Sequence, residues 1–70
     1  MHSKADFQIY NILADCSDDF PVSIYDDSGK YTMEYYTGTA AEAKEKYGMW
    51  FAYDHYKSDS GVDIYVIVVK

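Results

Sequence analysis

Residues 39–48 read TAAEAKEKYG and are the stretch that decides the fold. Within this stretch, residues 40–46 are nearly all strong helix formers. Thr39 and Glu42 have the spacing of a capping box, and Glu42 and Lys46 form an i, i+4 pair in the favoured orientation. Gly48 is the residue expected just beyond the helix end. The sequence therefore predicts a helix that starts at Thr39 and ends before Gly48, and its small apolar stripe predicts close packing against its neighbour.

The residues before this helix predict a β-hairpin. Pro21 is tolerated at the first residue of a strand, and residues 22–25 then form the strand. Residues 26–29 contain turn-forming Asp, Ser and Gly, and residues 31–37 predict the returning strand.

The residues after the helix predict a second hairpin. Residues 49–56 form its first strand, residues 57–61 its turn and residues 62–69 its second strand. The last strand is apolar on both faces from residue 64 to residue 69, which is typical of a central strand.

The N-terminal segment, residues 3–16, predicts the first helix. Ser3 and Asp6 have capping-box spacing, with Asp in place of the preferred Glu. The competing interpretation is a strand over residues 7–13, because Phe, Ile and Tyr favour strands. Four residues fall at i, i+3, i+4 and i+7 and form one helical stripe: Ile9, Ile12, Leu13 and Cys16.

Together these elements predict one α+β domain over residues 1–70, in the order α-β-β-α-β-β. Its two hairpins would form a four-stranded antiparallel sheet with both helices on one face. Both predicted turns contain Asp-Ser-Gly, at residues 27–29 and 59–61, which raises the alternative of an internal repeat. We favour independent use of the same turn chemistry, because two tripeptides are weak support for a repeat.

Side-chain alternation sorts the strand residues onto two faces. The face predicted to be buried under the helices contains Val22, Ile24, Met33, Tyr35, Phe51, Tyr53, Ile64, Val66 and Val68. The face predicted to be bare contains Ser23, Tyr25, Thr32, Glu34, Tyr36, Trp50, Ala52, Asp54, Tyr56, Asp63, Tyr65, Ile67 and Val69. A shift of one residue in register would exchange the two faces.

The bare face would combine large aromatic side chains with carboxylates. Tyr and Trp are enriched in interaction surfaces, so this composition favours a binding face. The alternative is that the tyrosines only stabilise the sheet through cross-strand pairs.

The charge balance limits the kinds of partner. The 70 residues contain twelve acids and six lysines and no arginine, giving a net charge of −6. This charge argues against binding to nucleic acid or to an anionic membrane, and it favours a basic protein surface. The single cysteine cannot form an intrachain disulfide, and there is no signal-peptide pattern or membrane-spanning apolar run, so the expected location is cytoplasmic.

The sequence contains no pattern that predicts a metal site, a cofactor site or a catalytic site. His2, Cys16 and His55 lack metal-ligand spacing, and Cys16 is expected to be a buried structural thiol. Asp54 and His55 are adjacent on a strand and would point to opposite faces. We therefore expect a protein that is not an enzyme.

The leading hypothesis is an acidic protein-interaction module, and its sharper form is an inhibitor that mimics nucleic acid. In small size, negative charge and tyrosine-rich strands the chain resembles phage-encoded inhibitors of restriction and CRISPR systems, although no shared motif carries the resemblance. The alternative is a structural homodimer or larger assembly that pairs aromatic sheet faces. The residues predicted to bind the partner are Asp26, Asp27, Glu34, Tyr36, Trp50, Asp54, Tyr56, Asp59, Asp63 and Tyr65.

Overall fold

Four strands and two helices make up the fold, and the computed structural model describes residues 8–67. The elements in chain order are α1 (Ile9–Ile12), β1 (Pro21–Asp26), β2 (Met33–Thr39), α2 (Ala40–Tyr47), β3 (Asp54–Ser58) and β4 (Gly61–Val66). The predicted α+β class and the order α-β-β-α-β-β are confirmed. Ser3, Asp6, Val68 and Val69, which also entered the predictions, lie outside the described residues.

The sheet has the strand order β2-β1-β4-β3, so β4 is central, as predicted. Each hairpin is antiparallel, but the inner strands β1 and β4 pair in parallel, and the sheet is mostly rather than wholly antiparallel. The physical reason is the position of α2. Because β2 and β3 run in the same direction, α2 acts as the crossover that returns the chain to the starting end of the sheet.

The two halves of the chain are not arranged equivalently. In the first half the first strand, β1, is the inner one, whereas in the second half the second strand, β4, is the inner one. The connections also differ, because residues 27–32 join β1 to β2 and only residues 59–60 join β3 to β4. This arrangement favours shared turn chemistry over an internal repeat.

The helix α1 settles the choice between helix and strand at residues 9–12 in favour of the helix. It is shorter than predicted, since residues 13–15 form a turn. The carbonyl of Ile12, at the end of α1, accepts a hydrogen bond from Lys57 Nζ at 3.2 Å. Ile9, Ile12 and Leu13 are buried as the stripe predicted, whereas Cys16 is half-buried and packs against the edge of the core.

The helix α2 begins as predicted, because Thr39 Oγ1 accepts a hydrogen bond from the Glu42 amide at 3.4 Å. The ion pair from Lys46 Nζ to Glu42 Oε1 is also present at 3.4 Å. Gly48 is the C-cap with φ of −58°, so it ends the helix in the right-handed region rather than as a left-handed residue beyond it.

The core lies between the helices and the inner strands. The prediction was correct for Val22, Ile24, Ile64 and Val66. The complete set of buried apolar residues is Ile9, Ile12, Leu13, Val22, Ile24, Ala40, Ala43, Ala52, Val62, Ile64 and Val66. Four residues that were predicted to be buried are instead exposed: Met33, Tyr35, Phe51 and Tyr53.

Met33 and Tyr35 are exposed on the edge strand β2, where a β-bulge also changes the side on which Tyr36 lies. Ile24 pairs with Tyr36 and the next residue, Tyr25, pairs with Glu34, so Tyr35 is an extra residue. Such a bulge breaks the alternation of side chains and can place two neighbours on one side. The rings of Tyr35 and Tyr36 both contact Tyr47 of α2, with centroid distances of 5.8 and 5.1 Å. The prediction that Tyr36 lies on the bare face is therefore wrong.

The late start of β3 explains the exposure of Phe51 and Tyr53. Residues 49–53 were predicted to belong to this strand, but the chain before Asp54 follows α1 instead. The amides of Ile9 and Tyr10 donate to the carbonyls of Trp50 and Gly48 at 2.8 and 2.9 Å. These carbonyls satisfy helix amides that have no partner within α1, and they hold residues 48–50 beside this helix. The chain reaches the sheet at Tyr53, whose amide donates to the Tyr65 carbonyl at 3.0 Å. Trp50 and Ala52, predicted for the bare face, pack with the core instead.

Candidate protein-binding face

The face of the sheet opposite the helices is here called the open face. Strand alternation assigns to it the residues that lie between the buried ones of β1 and β4, together with their partners on the edge strands. Its members are Pro21, Ser23, Tyr25, Glu34, Thr37, Thr39, Asp54, Tyr56, Ser58, Gly61, Asp63 and Tyr65.

One row across this face has tyrosines at its centre and acids at its ends. Tyr25 and Tyr65 are neighbours on the inner strands, and their rings stack with centroids 5.3 Å apart and an angle of 22°. Glu34 pairs with Tyr25 on one side, and Asp54 pairs with Tyr65 on the other. The row therefore presents a pair of stacked tyrosine rings between two carboxylates.

The next row places an acid at the centre. Ser23 and Asp63 are neighbours on the inner strands, and Tyr56 of β3 is directly opposite Asp63. Asp63 is only half-exposed, whereas Tyr56 is 68% exposed. Opposed residues of an antiparallel pair have Cβ atoms about 5 Å apart, so the Tyr56 ring stands beside the Asp63 carboxylate.

The described lysines all lie away from the open face. Lys57 is on β3 but points to the helix side, where Nζ is 2.7 Å from Asp15 Oδ1. Lys46 and Lys44 are on α2, and Lys30 lies in the β1–β2 connection over the ring of Tyr31. Within residues 8–67, no cation neutralises the open-face carboxylates.

Five of the residues predicted to bind a partner share the open face. They are Glu34, Asp54, Tyr56, Asp63 and Tyr65. Asp59 is exposed in the two-residue turn between β3 and β4. Tyr36 and Trp50 are on the helix side, where they form an aromatic cluster with Tyr35 and Tyr47.

Tyr36, on the helix side, also forms a hydrogen bond with the carboxylate of Glu42 on α2. Its hydroxyl donates to Glu42 Oε1 at 2.9 Å. Burial, and then this hydrogen bond, raise the pKa of Tyr36, while the same bond and Lys46 lower the pKa of Glu42. Tyr36 therefore joins β2 to α2.

The remaining predicted residues, Asp26 and Asp27, have their carboxylates engaged in the first turn. Asp26 Oδ1 accepts from the Ser28 amide at 2.9 Å. Asp27 accepts from the Tyr53 hydroxyl and from Thr32 Oγ1, the latter at 2.7 Å. The bond to Tyr53 is the largest cause that lowers the pKa of Asp27, and it raises the pKa of Tyr53 to about 12. Asp27 therefore connects the first turn to the chain before β3, whereas the Asp26 bond lies within the turn.

The sequence reasoning missed a group of small residues on the open face. Pro21, Ser23 and Gly61 occupy neighbouring positions on the inner strands, and Ser58 and Ser60 border them. The available signal was the presence of small residues near the start of both inner strands. These residues indicate a shared small-residue surface only once β1 and β4 are known to be parallel neighbours.

The described residues contain no group of three or more His, Cys, Asp or Glu side chains that could hold a metal ion. His55 pairs with Ile64 and Asp54 pairs with Tyr65, so these two side chains lie on opposite faces. Asp54 Oδ1 instead accepts from the backbone amide of His55 at 2.9 Å. No helix of the described residues has the length and apolar character needed to cross a membrane.

Searches against protein-family models, curated proteins and solved structures find no match for this chain. Its function is therefore inferred from the residues of the open face.

Proposed function

We propose that this protein is a non-enzymatic, acidic interaction module whose open face binds a basic surface of another protein. The observation that carries the proposal is the combination of Glu34, Asp54 and Asp63 with the Tyr25–Tyr65 stack on one face that has no described cation. Tyrosines supply contact area with little loss of side-chain freedom, and carboxylates select a partner of opposite charge.

The same charges disfavour assembly through this face. If two copies paired their open faces, carboxylates of both copies would meet without cations between them, and like charges in an interface are unfavourable. A homodimer is therefore an outcome of the experiment below and not a second proposal.

The sharper form of the proposal is mimicry of nucleic acid. Glu34 and Asp54 are on the two edge strands, so about 14 Å of sheet separates their Cα atoms at the usual strand spacing. This separation is similar to the DNA major-groove width of about 12 Å, so the pair suits a protein that reads two phosphate backbones. We expect the partner to be a basic nucleic-acid-binding protein in the cytoplasm.

Affinity capture with three matched proteins tests the proposal. The wild type is compared with a face variant, Glu34→Gln/Asp54→Asn/Asp63→Asn, and with a control, Asp18→Asn/Asp19→Asn/Glu45→Gln. Both variants lose three negative charges, but the control changes only acids away from the open face. The wild type and the control should capture the same basic proteins from the native host, and the face variant should lose them.

The identified partner is then purified and bound to the wild type at increasing salt. Affinity should fall as salt rises, and duplex DNA or RNA should compete if the mimicry is real. Capture of acidic or neutral proteins alone, or equal capture by both variants, would contradict the proposal. Light scattering that finds a stable dimer disrupted by the face variant would favour the structural assembly.

A further inference from the structure

A shallow hollow lies at one end of the open face, where β1 and β4 begin. Its volume is about 190 Å³. Its lining includes Ser23, Tyr56, Ser58, Ser60, Gly61 and Asp63. This volume is below the roughly 300 Å³ at which pockets for small molecules begin, and it suits a single side chain.

The hollow exists because small residues meet on the inner strands. Gly61 has no side chain, and a Cβ atom placed on it would lie 3.2 Å from the Pro21 carbonyl oxygen. The two strands therefore approach closely at this end and no large side chain covers them. The Tyr56 ring on the neighbouring edge strand forms a wall.

The polar groups of the hollow divide into satisfied and unsatisfied ones. Ser58 Oγ and Ser60 Oγ are 3.1 Å apart, and Ser58 Oγ also donates to the Gly61 carbonyl at 3.2 Å. Asp63 is half-buried, and its carboxylate has no hydrogen bond or ion pair with any residue in the range 8–67. The hollow therefore offers one carboxylate acceptor beside an aromatic ring.

We propose that this hollow binds the guanidinium group of one arginine side chain of the basic partner, an inference that rests on the proposed function. The Asp63 carboxylate accepts two parallel N–H bonds, and the Tyr56 ring stacks on the guanidinium plane. Arginine fits better than lysine because its planar fork matches a carboxylate and an aromatic face together, whereas an ammonium is a compact point charge.

A titration of the ¹⁵N-labelled full chain with an arginine peptide, Ac-Gly-Arg-Gly-NH₂, tests the inference. A single side chain is expected to bind with a dissociation constant of roughly 1 mM, so the peptide is added to about ten times that concentration. The matched peptides contain lysine, or citrulline, which keeps the shape of arginine without its charge. Saturable shifts should appear at the amides of Ser23, Ser58, Ser60 and Asp63, strongest with arginine and absent with citrulline.

Two variants assign the roles within the hollow. Asp63→Asn keeps the size of the side chain and should weaken arginine binding about tenfold, because a charged hydrogen-bonded pair is lost. Tyr56→Leu should weaken it a few-fold through loss of stacking. The control Glu45→Gln removes one charge from α2 and should leave the dissociation constant unchanged. Amide spectra without peptide confirm that each variant is folded.

Several results would overturn the inference: shifts that do not saturate or that spread over the whole surface, equal binding of citrulline, or equal weakening by Asp63→Asn and Glu45→Gln. Stronger binding of lysine would assign the hollow to an ammonium group and would also overturn it. Failure here leaves the capture experiment untouched, since Glu34, Asp54 and the tyrosine stack can bind a basic surface without the hollow. Conversely, capture can fail while the peptide binds, so the two proposals are separable.

Discussion

Tyrosines and carboxylates occur on both sides of the sheet, but the two sides use them differently. On the helix side, charged and phenolic groups are paired: Lys57 with Asp15 at 2.7 Å, and Tyr36 with Glu42 at 2.9 Å. On the open face the carboxylates of Glu34 and Asp63 have no side-chain partner in the range 8–67. Similar side chains therefore hold the fold on one side, whereas on the other they have no side-chain partner among the described residues.

The difference shows why composition alone could not locate the residues proposed to bind a partner. A tyrosine or an acid contributes to stability where a neighbour fills its hydrogen-bonding capacity, and to recognition where none does. The following variants separate these two contributions, beginning with the largest expected effect.

Neighbouring residues of β4 give the sharpest contrast. Ile64 is fully buried on the helix side, and Tyr65 stacks on Tyr25 on the open face. We expect Ile64→Ala to reduce the free energy of unfolding by about 3–4 kcal/mol, because it removes buried methyl groups and leaves a cavity. Tyr65→Ala should cost only about 1 kcal/mol, the value of a cross-strand aromatic pair.

Chemical denaturation measures both values. If Tyr65→Ala were as destabilising as Ile64→Ala, the open face would be part of the core and the proposed binding role would lose its basis.

Two aromatic residues predicted to bind the partner should have opposite effects on stability and on capture when each is replaced by alanine. Trp50 packs in the helix-side cluster, with its ring centroid 4.9 Å from that of Tyr47, whereas Tyr56 is 68% exposed. Trp50→Ala should reduce the free energy of unfolding by about 2 kcal/mol, less than for a fully buried tryptophan. Tyr56→Ala should change stability by less than about 0.5 kcal/mol and should weaken capture of the basic partner.

Denaturation and capture on the same two variants check this pair. Loss of capture in folded Trp50→Ala, with retention in Tyr56→Ala, would move the binding surface to the helix side.

The bond between Tyr53 and Asp27 predicts loss of stability in acid. The pKa of Asp27 is lowered from 3.8, so its contribution is fully present above that pH and is lost as the pH falls through the folded value. In Tyr53→Phe the main cause of the lowered pKa is removed. The denaturation midpoint of this variant should therefore depend less on pH below about 4 than that of the wild type. An unchanged acid dependence would contradict the contact.

The same bond predicts a smaller effect at alkaline pH. The pKa of Tyr53 is raised from 10.0 to about 12, so the folded state holds its proton more tightly than the unfolded state. The stabilisation is complete below pH 10 and is lost as the pH rises toward 12. Wild type should lose stability over this range more steeply than Tyr53→Phe, with Tyr56→Phe as the control that removes an open-face hydroxyl. Parallel curves for the three proteins would exclude the contact.

Local sequence signals predicted most of the fold. Thr39 caps α2 as its spacing indicated, and the turn residues gave both hairpins and the order of the elements. The parallel pairing of β1 with β4 could not be predicted, because it depends on the path of α2 and not on any local pattern. The sequence identified Gly48 as a helix end, but it did not predict that this glycine would have a right-handed φ of −58°.

The candidate site was predicted where alternation continued without interruption. Asp54, Tyr56, Asp63 and Tyr65 follow the regular pattern of the second hairpin and lie on the open face. Tyr36 was misplaced because a bulge has no signature in the residues of β2, and Trp50 because backbone bonds to α1 hold its segment out of the sheet.

The parallel join between β1 and β4 also has a consequence for folding kinetics. Ser58 and Gly61 pair across a tight turn, whereas Val22 and Val62, at the centre of the sheet, are 40 positions apart in sequence. Contacts between distant residues require a larger loss of chain entropy before they form. We therefore expect the hairpins to form first and their docking to limit the refolding rate, so that the most deeply buried strands of the native protein are the last to meet.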